Sequence, residues 1–150
     1  MQRREIMKVL LAVDDSKFSE AALEAVVAQF NPSGTEVRVT HVVEPISLTP
    51  PPQMARGYAP EVLEQVKKAE EQSERCAKKL RAAGFTTDTD VREGDVREEI
   101  IESAAKWGAD IIVIGSRGRS VIKRLLLGSV AEFVARHANC SVEIVRRRAA

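Results

Sequence analysis

Short apolar runs rich in β-branched residues alternate along this chain with segments that show a helical period. Two of the runs, 9–13 and 111–114, are apolar at every position, which is typical of strands covered by helices on both faces. We predict strands at 7–13, 36–43, 86–92, 110–115 and 141–146. Strands that alternate with helices in this way indicate a parallel sheet with helices on both faces.

Four helices are predicted between the strands. The first begins near Ser16, a candidate N-cap, and continues to about residue 30. The second covers about 61–83, and apolar or small residues at spacings of three and four form one stripe along it. The stripe consists of Val62, Val66, Ala69, Ser73, Cys76, Leu80 and Ala83. A coiled coil would show a similar stripe, but this one is short and poor in leucine, which favours a helix lying on a sheet.

The last two helices have clear boundary signals. Asp95 can cap the third helix, Glu98 stands at the spacing of a capping box, and Gly108 follows its end. The fourth helix begins near Gly128-Ser129 and continues to about residue 137. With right-handed crossovers, the simplest arrangement is a doubly wound, Rossmann-like five-stranded parallel sheet of order 3-2-1-4-5.

Composition excludes several other classes of protein. The 150 residues fit one domain, 1–150, in which only the segment 44–60 looks irregular, with five prolines. A formal net charge of +1 and 4% aromatic residues disfavour nucleic acid as the partner. Two cysteines without a CxxC motif, and two distant histidines, match neither a disulfide scaffold nor a zinc site. The apolar run near the N-terminus contains Lys8 and lacks a cleavage site, so we expect a strand and a cytoplasmic protein without a membrane span.

A ligand site is expected where the winding of the sheet reverses, beyond the carboxyl ends of strands one and four. Asp14-Asp15-Ser16 follows strand one. Gly115-Ser-Arg-Gly118 follows strand four, and after nine further residues Gly128-Ser129 opens the last helix. The sequence therefore predicts that two glycine-containing segments and a carboxylate meet at this edge.

The second of these elements has the features of an anion site. Gly115 and Gly118 allow a positive φ or a close approach to a ligand, and the start of a helix offers free N–H groups to phosphate. The loop from the end of strand four to the start of the last helix is cationic, with Arg117, Arg119, Lys123 and Arg124. Neither GxxxxGK[ST] nor a GxGxxG after strand one is present. The glycines alone fit equally a tight strand exit followed by a helix start.

These residues also resemble a known family. The segment from Gly115 to Ser129 matches the G-x2-G-x9-G-[ST] motif of the universal stress proteins, and Val13-Asp-Asp-Ser16 is similar to the V-D-x-S pattern at the end of their first strand. His41-Val-Val43, Gly94-Asp95 and the run 109–115 also look like this family. The similarity covers nearly the whole chain, and the glycine motif is its most specific part.

The resemblance implies the α/β sheet described above and a site for ATP, with Mg²⁺ accompanying the phosphates. The residues that it places around adenine and the ribose hydroxyls are Ala12, Val13, Asp14 and Val42. Those that it places around ribose and the phosphates are Gly115, Arg117, Gly118, Gly128, Ser129 and Val130. From the residues alone, Asp14 fits a turn or a helix cap as well.

Three functions are compatible with the sequence. The first is an ATP-binding stress-response module that signals to an unknown protein partner. The second is a slow ATPase or phosphotransferase, although no residue is recognisable as one that positions water for hydrolysis. The third is a macromolecular interaction module without nucleotide, whose binding would depend steeply on salt. The last strand should lie at a sheet edge, which predicts a homodimer formed through that strand.

Overall fold

Five parallel strands form the centre of the protein. The structure is a computed structural model that describes residues 6–45, 55–117 and 127–147. The strands are β1 (Met7–Val13), β2 (Thr35–Val43), β3 (Thr86–Glu93), β4 (Ile111–Gly115) and β5 (Ser141–Val145). Their order is β3-β2-β1-β4-β5, and every pairing is parallel. The predicted sheet and its strand order are confirmed.

Four α-helices connect the strands. They are α1 (Lys17–Gln29), α2 (Ala55–Ala82), α3 (Val96–Trp107) and α4 (Ser129–His137), and a short 3₁₀ turn, Pro32–Gly34, precedes β2. None of the helices in the described ranges combines the length and apolar character needed to cross a bilayer.

The start of α2 differs from the prediction. The sequence placed it near residue 61, after the proline-rich segment 44–60, but the helix begins at Ala55 and Pro60 lies within it. A proline removes one backbone hydrogen bond from a helix and disfavours helical backbone before it, which is why Pro60 indicated a boundary. The remainder of that segment, 46–54, lies outside the described residues.

The helices lie on both faces of the sheet. On one face, α1 and α2 pack on a core of the buried residues Val9, Leu11, Val13, Ala22, Leu23, Val26, Val37, Val39, Leu80, Phe85 and Val113. On the other face, α3 and α4 pack on the buried residues Leu10, Ala12, Val42, Ile100, Ala104, Ile112, Ile114, Ala131 and Val134. The odd and even residues of β1 therefore face different helix layers, as the pleat of a strand requires.

Local signals of the sequence explain both ends of α3. The Asp95 carboxylate accepts hydrogen bonds from the N–H groups of Arg97, at 3.0 Å, and Glu98, at 3.3 Å. Gly108 ends the helix with a φ of 77°, a left-handed backbone that glycine adopts at little cost. The predicted cap and the predicted stop are confirmed.

Candidate functional site

The winding of the chain reverses between β1 and β4. These strands are neighbours, with Ala12 paired to Ile114 near their carboxyl ends. Beyond β1 the chain enters α1 on one face of the sheet, whereas α4, which follows β4, packs on the opposite face. The two connections therefore diverge, which leaves a crevice at this edge, the usual position for a ligand in a doubly wound sheet.

Asp14 is fixed at the start of this crevice by a set of local hydrogen bonds. Its Oδ1 accepts from the Ser16 N–H at 2.8 Å and from the Ser19 hydroxyl at 2.9 Å. The Ser19 Oγ in turn accepts from the Asp14 N–H at 2.7 Å. Asp14 thus forms the turn that leads into α1. Within the described ranges no hydrogen bond uses its second oxygen, Oδ2, so the turn leaves one carboxylate oxygen for a ligand.

Ser16 does not have the role predicted for it. It occupies the N-cap position of α1, but its side chain makes no cap hydrogen bond. Its hydroxyl oxygen is buried and has no hydrogen-bond partner among the described residues. The Ser19 N–H, from which a capping hydroxyl at Ser16 would accept, donates instead to the Ser16 carbonyl oxygen at 3.2 Å, while the Asp14 carboxylate takes the Ser16 N–H and organises the turn.

Gly115 is required by the protein's own packing. A Cβ at this position would lie 2.7 Å from the Phe18 Cβ and 2.8 Å from the Phe18 carbonyl oxygen. Its backbone is not among those with positive φ, so conformational freedom is not the reason for a glycine here. The first turn of α1 approaches the end of β4 so closely that only a hydrogen atom fits between them.

The start of α4 is bonded directly to the exit of β4. The Gly128 N–H donates to the Ser116 carbonyl at 2.7 Å, and the Ser116 N–H donates to the Val145 carbonyl at 2.8 Å. Gly128 has a φ of −63°, so it too lacks a left-handed backbone. These bonds bring Gly128 and Ser129 to the crevice. Gly118 and the three predicted cationic residues after it lie outside the described residues.

The first turn of α4 is open, in contrast to that of α3. At α3, Asp95 binds two N–H groups and the Glu44 carboxylate accepts from the Val96 N–H at 3.2 Å. At α4 no side chain of the described residues caps the helix. Across the described ranges, the N–H groups of its first three residues, 129–131, make no hydrogen bond. Such groups at a helix start, together with the helix dipole, favour an anion.

The apolar residues predicted around the nucleotide lie in two different cores. The side chains of Ala12 and Val42 belong to the apolar cluster beneath α3 and α4, and the half-buried Val130 packs against the same cluster. Val13 is buried in the opposite cluster, beneath α1 and α2. The structure thus brings three of the apolar candidates together and places the side chain of Val13 on the other face.

Arg117 lies on the α1 side of the crevice. Its guanidinium stands over the Phe18 ring, 6.0 Å from the ring centroid, and the residue is half-buried. Phe18 therefore contacts the end of β4 at Gly115 and the segment after it at Arg117. For a metal, the described residues contain no group of three or more His, Cys, Asp or Glu side chains that could hold an ion.

Ser19 and Gln72, whose side chains donate to Asp14, were not predicted from the sequence. Ser19 bonds Asp14 from α1, and the side-chain amide of Gln72 in α2 donates to the Asp14 carbonyl oxygen. Ser19 follows Asp14 by five residues, a spacing without a recognised motif. Gln72 lies 58 residues further along the chain, so no local pattern could have indicated it.

The fold and the crevice define a doubly wound α/β domain with an open helix start at its switch point. Comparison with known proteins gives its family. Residues 5–146 match the model of the universal stress protein family, and the chain belongs to that family. It is 34% identical over 149 residues to the universal stress protein YxiE of Bacillus subtilis, covering 93% of this chain and 98% of that protein.

Solved structures agree with this assignment. The structure of MJ0577, a universal stress protein of Methanocaldococcus jannaschii, superposes with a TM-score of 0.87 at 29% identity, over 97% of this chain and 99% of that one. A universal stress protein solved in complex with cAMP has a TM-score of 0.59 at 26% identity, over 95% of this chain and 98% of the other. The predicted family is confirmed.

Proposed function

We propose that this chain binds an adenine nucleotide, ATP together with Mg²⁺, in the crevice between β1 and β4, and that the bound state signals in a stress response. The observation that carries the proposal is the open first turn of α4, which hydrogen bonding ties to the end of β4. Phosphate is an anion with several acceptor oxygens, so it suits three N–H groups that bond to none of the described residues. A solved family member in complex with cAMP supports an adenine nucleotide as the ligand.

The proposed roles of the residues follow from the chemistry at this edge. Ala12 and Val42 offer apolar surface to adenine, and Asp14 offers Oδ2 to the ribose hydroxyls. The proposed contacts of ribose and phosphates are Gly115, Arg117, Gly118, Gly128, Ser129 and Val130, and the main chain at Val13 completes the adenine side. Mg²⁺ is usually held by phosphate oxygens and one or two carboxylates, and Asp15, next to Asp14, can supply one.

Gly128 gives the sharpest test of the phosphate site. The φ of −63° suits any residue, so aspartate can replace it and place a carboxylate over the open N–H groups. We expect Gly128→Asp to keep or raise the stability of the fold but to weaken the binding of ATP roughly ten- to hundredfold, because it supplies an internal anion. Gly128→Ala is the matched control, since alanine adds a side chain without an acceptor.

Asp14 gives an independent test of the ribose contact. In Asp14→Asn, the remaining oxygen can still accept from Ser16 and Ser19, but an amide NH₂ replaces Oδ2. Calorimetry with Mg²⁺ and ATP, ADP, AMP or GTP, on protein first shown to be free of nucleotide, measures these effects. Absence of binding by the wild type, or equal loss in Gly128→Asp and Gly128→Ala, contradicts the proposed site.

We expect binding without efficient turnover. Hydrolysis of ATP needs a residue that positions water, in addition to organised cations, and no such residue is recognisable in the sequence. If the wild type releases phosphate from ATP well above the background rate and Asp14→Asn abolishes that release, this expectation is overturned and an ATPase is favoured.

We also infer a homodimer that forms through β5. This strand is an edge of the sheet, and its last four residues are half-buried in the single chain. A second copy pairing with it would remove the exposed edge. Light scattering at about 50 µM, well above the micromolar Kd scale, should give twice the 16.5 kDa of one chain. A mass of one chain contradicts the inference. The cytoplasmic location stays a prediction of the sequence.

A further inference from the structure

Asp14 is held by the two helices that cover one face of the sheet. From α1, the Ser19 hydroxyl bonds both the Asp14 N–H and its Oδ1. From α2, the Gln72 side-chain amide donates to the Asp14 carbonyl oxygen. Ser19 is buried and Gln72 is half-buried, so both contacts are shielded from water. Both main-chain polar groups of Asp14 are therefore hydrogen-bonded: its N–H to a side chain of α1 and its carbonyl oxygen to a side chain of α2.

The two helices fix different properties of Asp14. The bonds from Ser19 and from the Ser16 N–H select the rotamer of the carboxylate, because both end on Oδ1. The bond from Gln72 ends on the backbone carbonyl, so it sets where the whole residue stands relative to α2. Loss of that donor leaves a half-buried carbonyl without its partner, which the chain relieves by moving Asp14 toward water.

We propose that Gln72 is a positioning residue for ribose recognition: through the Asp14 main chain it places Oδ2 where the hydroxyls of a bound nucleoside lie. This inference rests on the proposed function, since it concerns the same site. It goes further in assigning ribose selectivity to a residue of α2 that does not touch the ligand. The role of Gln72 can be measured by comparing ATP with 2′-deoxy-ATP and with 3′-deoxy-ATP, each of which lacks one ribose hydroxyl.

The chain provides a matched control in Gln65. This residue lies in the same helix, seven positions before Gln72, is also half-buried, and its side-chain amide makes no hydrogen bond in the described ranges. Gln72→Leu and Gln65→Leu therefore remove the same amide from the same helix. Only the first removes a bond to Asp14.

Calorimetry with ATP and with each deoxy-ATP measures the effect. We expect the wild type to prefer ATP by roughly three- to tenfold, the value of one hydrogen bond. In Gln72→Leu the affinity for ATP should fall toward that for deoxy-ATP, while the affinity for deoxy-ATP stays unchanged. Gln65→Leu should behave as the wild type. A general loss of structure would instead weaken both ligands equally.

Gln72→Glu adds a readout that a purely structural role would not change. Glutamate has the same shape, but it can donate to the Asp14 carbonyl only when protonated. A carboxyl group facing a carbonyl oxygen favours its neutral form, which raises its pKa. The preference of this variant for ATP over deoxy-ATP should therefore be absent near about pH 8 and return near about pH 5, with the wild type measured at both pH values for reference.

The possible outcomes separate this inference from the proposed function. If the wild type prefers ATP and Gln72→Leu keeps that preference, the role of Gln72 is overturned and the nucleotide site stands. If Gln72→Leu weakens ATP and deoxy-ATP equally, the role in ribose recognition is also overturned. If the wild type binds no nucleotide, the proposed function fails and this inference fails with it. Loss of the preference in Gln72→Leu alone, with its return in Gln72→Glu at low pH, supports the proposal.

Discussion

Replacing Gly115 with alanine places a methyl group against the first turn of α1. The new Cβ would lie 2.7 Å from the Phe18 Cβ, 2.8 Å from its carbonyl oxygen and 3.0 Å from its carbonyl carbon. Two of these three atoms are main chain, so no change of side-chain rotamer relieves the overlap and α1 itself must shift. Overpacking of this kind costs about 1–3 kcal/mol, and replacing a strand glycine returns about 0.5–1 kcal/mol.

The expected net loss of unfolding free energy for Gly115→Ala is therefore about 1 kcal/mol and at most about 2.5 kcal/mol, and a loss of about 1 kcal/mol lowers Tm by about 2–4 °C for a chain of this size. Urea unfolding should show a lower midpoint with an unchanged m value. Gly108→Ala is a useful comparison, since its Cβ meets nothing within 4 Å and its cost comes only from a φ of 77°. A Gly115→Ala protein as stable as the wild type, whether or not it lost affinity for nucleotide, would refute the packing argument.

Three further substitutions or measurements test the packing and the titrating groups. Leu80→Ala should lower the unfolding free energy measured in urea by about 2–5 kcal/mol, because the Leu80 side chain is fully buried. Leu63→Ala, at a residue that is 67% exposed, should change it by less than about 0.5 kcal/mol. Equal effects would contradict the orientation of α2 on the sheet. The pKa of Asp95 is lowered by the backbone N–H groups of α3 that it caps. The charged Asp95 carboxylate therefore stabilises the fold above the pKa it has in the unfolded chain, and this stabilisation is lost as pH falls through its lower pKa in the folded protein. The difference in urea midpoint between wild type and Asp95→Ala should accordingly shrink below about pH 4. A difference that does not change with pH would refute the contribution of the carboxylate charge to the cap. Burial raises the pKa of the Cys76 and Cys140 thiols, so alkylation near about pH 8 should be slower in the native than in the urea-unfolded protein, and equal rates would show exposed thiolates.

Local patterns in the sequence were enough to predict the architecture. Two of the strands were recognisable because a strand covered on both faces is apolar along its buried length, as residues 9–13 of β1 and 111–114 of β4 are. The ends of α3 were recognisable because Asp95 and Gly108 act on residues within one helical turn. Given alternating elements and right-handed crossovers, the order of the strands followed without any knowledge of distant contacts. Pro60 is the exception, since a proline marks a preference rather than a boundary.

The tertiary structure decided how the predicted site is held together. The sequence singled out Gly115 and Asp14, but it could not show that Phe18 excludes a side chain at the first or that Gln72 holds the second. Ser16 shows the same limit at short range, because the Ser19 N–H that its hydroxyl was expected to bind donates to the Ser16 carbonyl oxygen instead. Helix and strand periods report which face of an element is buried. They do not report which atom of a distant helix arrives there, because that depends on how α1 and α2 pack across the sheet.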